Sequence, residues 1–119
     1  MSFKSKYPHN RRLAEALRVI SKHPDKIPVI CEPLNPQTPN INRSKYLVSG
    51  EVTVGQLLHI IRPRIENLIN QNQALFLFVS NKSIIPAISS TINDLYDQYK
   101  DIDGFLYINY SLENTFGCI

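Results

Sequence analysis

The residues able to do chemistry are few and lie apart. The histidines His9, His23 and His59 fall in different segments with no metal-ligand spacing between them. Cys31 sits in the apolar stretch "IPVICEP", where a buried, inert thiol is expected. The carboxylates of "YDQYKDID" carry the pattern of a solvated helix end, and four glycines scattered singly make no phosphate-cradling loop. No nucleophile stands beside a base and no metal set converges, so no cofactor, metal or catalytic residue is assigned and an enzyme is not expected. The tail "NTFGCI" stays unexplained. Its Cys118 is second from the end, whereas prenylation needs a cysteine fourth from the end, where Phe116 stands. Ile119 as a terminal carboxylate ligand for a strand-adding domain requires only an apolar last residue, which is an unspecific signal. Neither reading gives Gly117 a purpose.

At 119 residues and 43% apolar, the chain fits one domain with a modest core. Two cysteines make no disulfide framework, which points to a reducing compartment, and a cytoplasmic location is expected. No apolar run reaches bilayer-spanning length, and "MSFKSKYPHNRR" lacks the apolar centre of a signal peptide. The matches to N-x-S/T at Asn42, Asn81 and Asn109 are accordingly read as chance. The net charge of +3 is unevenly spread. Lys4, Lys6, Arg11, Arg12, Arg18, Lys22 and Lys26 crowd the front, and Asp94, Asp97, Asp101, Asp103 and Glu113 the back. A basic front fits an acidic peptide, an anionic lipid surface or a nucleic acid, or a plainly solvated helix face. Its cations cluster on a helix and do not interleave with the aromatics of "FLYINY", which argues against nucleic acid.

The elements that must position these residues follow from periodicity. "NRRLAEALRVISKHP" predicts a helix with Leu13, Leu17 and Ile20 on its apolar stripe and Ala16 beside it. "KIPVICE" predicts a strand whose Pro28 belongs at an edge or a strand beginning. Pro33 to Asn42 predicts a loop, and "KYLVS" a second strand. Thr53 and Gln56, three apart, predict a capping box and a helix bearing Leu57, Ile60 and Ile61, with Pro63 kinking or shortening its last turn. "ALFLFVS" is apolar on both faces, as expected near the middle of a sheet. Ser or Thr caps open a helix with Ile92, Leu95, Tyr96 and Tyr99, and Asp103-Gly104 turns into a final strand. This order predicts an α+β fold, a ubiquitin-like β-grasp with an additional N-terminal helical extension: 1–26 extension, 27–110 core, 111–119 flexible tail.

"FKSKYP", "IPVICE", "KYLV", "TVGQ", "IRPRI", "FLFV" and above all "KDIDGFLYINYSLENTFG", in this order over almost the whole chain, resemble the autophagy ubiquitin-like modifiers, the family of GABARAP and the microtubule-associated light chain three proteins. The resemblance implies a precursor whose residues after Gly117 are removed by a processing cysteine protease that grips Phe116. Activating and conjugating enzymes of the autophagy lipidation pathway then join the glycine to phosphatidylethanolamine, placing the protein on autophagosome membranes. A residue without Cβ suits this passage, because the tail must thread narrow enzyme channels. The resemblance also implies binding of cargo receptors through aromatic-x-x-aliphatic peptides added beside "KYLVS". Glu15, Val19, Pro28, Lys45, Leu47 and Phe105 would wall the aromatic pocket, and Tyr46, Val48, Val52, Leu57 and Ile60 the aliphatic one, with Lys45 and the basic front meeting the acidic flank. The chain departs from the family where members carry a bulky aromatic at Leu57, a basic residue at Pro63, arginine at Lys26 and often proline at Ser49, and its "ENLINQNQ" is longer. The alternative function is a peptide-binding adaptor of the same fold whose glycine is never conjugated.

Overall fold

The computed structural model describes residues 2–35, 38, 40–41, 44–65, 73–79 and 84–114. The elements run α1 (Phe3–Lys6), α2 (His9–Lys22), β1 (Lys26–Pro33), β2 (Lys45–Ser49), α3 (Val54–Ile65), β3 (Gln73–Phe78), α4 (Ile92–Tyr99) and β4 (Leu106–Asn114). The strands form one mixed sheet in the order β2-β1-β4-β3, with β1 and β4 parallel at its centre and β2 and β3 antiparallel at its edges. One face, carrying Ile27, Val29, Cys31, Tyr46, Val48, Leu106, Ile108 and Tyr110, is covered by α3 and α4 through Leu57, Ile61, Ile65, Ile92 and Leu95. The other face is covered by the N-terminal helices, where Phe3 and Ala16 pack on Ile30 and Phe105. This is the ubiquitin-like arrangement with helices added at the front.

Local chemistry accounts for the helix starts. The Thr53 N–H donates to Gln56 Oε1 at 2.9 Å and the Gln56 N–H to Thr53 Oγ1 at 3.2 Å, closing the capping box before α3. Thr91 caps α4 by accepting from the Asp94 N–H at 3.2 Å. Pro28 lies near the start of β1, one residue before its pairing with β4 begins at Val29, so the missing donor takes nothing from that ladder.

Five expectations change. The buried face of α2 is Arg12 and Ala16, while Leu17 is 56% exposed. The small Ala16 lets the helix approach Gly104, whose φ is +90° and where a Cβ would lie 2.9 Å from that of Ala16. Asp103 is not solvated: its carboxylate is fully buried and receives Arg12 Nη1 at 2.6 Å, the Tyr107 hydroxyl at 2.6 Å and the Phe105 N–H at 2.9 Å. β3 is an edge strand, with Leu75 and Leu77 buried and Phe76 partly open, because only one of its apolar faces is covered. Of the two effects expected of Pro63, the shortening does not occur: α3 holds the proline inside it and continues to Ile65. β4 runs to Asn114, so residues 111–114, expected in the tail, belong to the sheet. Phe116, Gly117 and most of the "ENLINQNQ" stretch lie outside the described residues.

Candidate functional site

The edge strand β2 organises the predicted groove. Its register pairs Ile30 with Lys45, Pro28 with Leu47 and Lys26 with Ser49. The Cys31 N–H donates to the Ser44 carbonyl at 2.7 Å and the Gly50 N–H to the Asp25 carbonyl at 3.2 Å. Antiparallel pairs alternate between bonded and non-bonded, so Ser44, Tyr46, Val48 and Gly50 turn their backbone groups toward β1. Lys45, Leu47 and Ser49 therefore turn theirs outward, on the open side of the sheet. Side chains alternate with the same period: Tyr46 and Val48 enter the core under α3, and Lys45, Leu47 and Ser49 lie on the face covered by α2.

On the α2 face the structure brings Glu15, Val19, Pro28, Lys45 and Leu47 together. Glu15 and Val19 stand one turn apart on α2, and Glu15 holds Lys45 in an ion pair. Leu47 is 39% exposed above the buried Pro28. Phe105 differs from the expectation. It is 1% exposed, and Phe3 from α1 packs edge-on against it with ring centres 5.1 Å apart. Its side chain belongs to the core cluster it forms with Phe3, Ala16 and Ile30. Sequence reasoning gave Phe3 no such role, although Phe3 stands in the "FKSKYP" stretch that carries part of the family resemblance. The Lys45 ammonium also stands 5.8 Å from the centre of the Phe3 ring, so this cation already has two neighbours before any ligand arrives.

On the opposite face, Tyr46, Val48 and Leu57 belong to the core, and Val52 packs against it. Ile60 keeps 40% of its surface open. One turn further along α3, the Arg64 guanidinium stands 5.3 Å from the centre of the Tyr46 ring, tying the helix to the edge strand. Sequence reasoning did not single out Arg64, although its i+4 spacing from Ile60 placed it on that face.

The remaining polar groups are structural. Arg12, 9% exposed, also donates through Nε to the Tyr7 carbonyl at 3.0 Å, so its pairing with Asp103 pins α2 and the segment before it to the turn that precedes β4. Burial, then the hydrogen bond to Asp103, pushes the Tyr107 hydroxyl well above its ordinary pKa. Lys4 reaches Asp101 at 2.6 Å. Burial raises that carboxyl, but the Lys4 bond and the Asp103 N–H outweigh it and hold the pKa below its usual value. Burial, with Glu32 adding, pushes the Cys31 thiol up to about 12, which leaves it protonated and inert. An open depression of about 1010 Å³ lined by Phe3, Tyr7, Glu32, Lys45, Tyr107 and Asn109, among others, meets the predicted groove at Lys45. No group of metal-ligating side chains occurs among the described residues.

The family model for the autophagy protein Atg8, ubiquitin-like, matches residues 11–117. The chain belongs to the Atg8 family. Autophagy-related protein 8 of Pichia angusta is 48% identical over 116 residues, 97% of this chain and 90% of that one. Autophagy-related protein 8d of Arabidopsis thaliana is 45% identical over 117 residues, 98% and 94%. Among solved structures, Trypanosoma brucei ATG8 superimposes with a TM-score of 0.84 at 36% identity, covering 98% of both chains. Plasmodium falciparum Atg8, solved in complex with a Plasmodium falciparum Atg3 peptide, gives 0.79 at 33% identity, covering 93% and 95%. The Atg8-type protein is thus a ubiquitin-like autophagy modifier and not an enzyme.

Proposed function

We propose that this Atg8-family chain is conjugated through Gly117 to phosphatidylethanolamine and, on autophagosome membranes, recruits cargo receptors through aromatic-x-x-aliphatic peptides laid along β2. The observation that carries the peptide half is the edge strand itself, with outward backbone groups at Lys45 and Leu47 and half-open apolar side chains, Leu47 and Ile60, on opposite faces. Residues three apart in an extended peptide also point to opposite faces, so one such ligand fills both sides while adding a strand. The conjugation half is supported by a family match that extends to Gly117. A processing protease would expose that glycine, activating and conjugating enzymes would carry it, and two acyl chains at ~0.8 kcal/mol per buried methylene would anchor the domain stably. The solved Atg8–Atg3 peptide complex from Plasmodium supports a family groove able to take a peptide.

Calorimetric titration with an acidic aromatic-x-x-aliphatic peptide tests the groove. Binding that is lost when either anchor is changed to alanine is expected; equal binding of a scrambled peptide would remove this function.

A further inference from the structure

We propose that Ser49 is a third hydrogen-bonding rung of the peptide groove, its backbone N–H taking the carbonyl of the aliphatic anchor; this rests on the groove described under Proposed function. The aromatic side lies beside Lys45 and Leu47 and the aliphatic side beside Val48 and Val52, so a peptide read from aromatic to aliphatic runs parallel to β2. Residues paired in a parallel ladder share a face. An aromatic opposite Lys45 then puts the aliphatic residue opposite Val48, above Leu57 and Ile60. In that register Lys45 and Leu47 supply the first two rungs. The next outward-turned residue is Ser49, whose alternation is fixed by the Gly50 N–H donating to the Asp25 carbonyl. Its N–H faces the carbonyl of the residue opposite Val48, which is the aliphatic anchor.

The ladder also ends there. The Ser49 carbonyl accepts the Val52 N–H at 3.1 Å, and the Ser49 hydroxyl oxygen faces the Glu51 N–H at 3.4 Å. Ser49 therefore offers the ligand a donor and keeps its acceptor for the turn into α3. The residue two after the aliphatic anchor, whose N–H would meet the Ser49 carbonyl in this register, finds that acceptor already taken by Val52, which sets the length of the paired segment.

Ser49→Pro removes the donor at an edge position where proline is tolerated, and Ser49→Ala keeps it. Titrated with an acidic aromatic-x-x-aliphatic peptide, Ser49→Ala should bind as the wild type does and Ser49→Pro about two- to tenfold more weakly. Replacing the peptide bond after the aliphatic anchor by an ester weakens that carbonyl as an acceptor and removes an N–H that has no partner at Ser49. The ester should lower affinity for the wild type and for Ser49→Ala, and not for Ser49→Pro. If Ser49→Pro fails to fold, an ester that costs the wild type nothing overturns the rung by itself. Wild-type binding with equal affinity in Ser49→Pro overturns the rung and leaves the groove standing. Absence of binding by the wild type overturns both.

Discussion

Truncating Leu47 to alanine perturbs the α2 side of the groove and little else. The side chain lies on an edge strand with 39% of its surface open, about 70 Å² of apolar area, and covering that area at ~25 cal/mol per Å² stabilises a complex by about 1.8 kcal/mol. Alanine retains the Cβ, so a loss of about 1–1.5 kcal/mol is expected, roughly five- to tenfold in Kd. Ile60, 40% open on the other side of the strand, should lose a similar amount in Ile60→Ala. Calorimetry with the peptide and its aromatic→Ala form closes a double-mutant cycle. Leu47→Ala should couple to the aromatic anchor by more than about 0.5 kcal/mol, and Ile60→Ala should not. Unchanged affinity in Leu47→Ala, or coupling of the aromatic to Ile60 instead, would refute the assignment of the two faces.

Three further outcomes follow from the same geometry. Lys45→Glu sets two carboxylates against each other where Lys45 now pairs with Glu15, and stopped-flow measurement should show slower association with acidic-flanked peptides and a shallower salt dependence. Asp103→Ala leaves Arg12, the Tyr107 hydroxyl and the Phe105 N–H without their buried acceptor, a loss of about 3–5 kcal/mol visible as a lower denaturant midpoint; a midpoint within error of the wild type would contradict it. In a Cys118→Ser background, Cys31 should resist maleimide at pH 8 until the protein unfolds, since the thiol is 1% exposed and its pKa is pushed up to about 12.

Much of this architecture is legible locally. The Thr53/Gln56 box, the Thr91 cap and the alternation of "KYLVS" each depend on neighbours within a few residues, and each stands where its pattern places it. The Arg12 face of α2 is different. A charged residue becomes buried only because Asp103, 91 positions away, meets it, and no periodicity contains that partner. β3 misleads for the opposite reason: its apolar run has two faces, but the topology covers one and leaves the strand at an edge. Of the groove, β2 and α3 could be drawn from pattern, and the membership of the two pockets came from family resemblance. The Glu15–Lys45 ion pair and the Phe3 covering of Phe105 are tertiary contacts that spacing does not encode.

Conjugation through Gly117 is tested most directly by intact mass spectrometry of the protein recovered from the membrane and soluble fractions of its own cells, alongside Gly117→Ala. The wild type should lack Cys118 and Ile119 in its processed form and carry a phosphatidylethanolamine adduct in the membrane fraction, and Gly117→Ala should show no adduct while remaining folded. A wild-type mass that retains both residues in every fraction, or lipid-modified Gly117→Ala, would contradict it and leave an unconjugated peptide-binding adaptor.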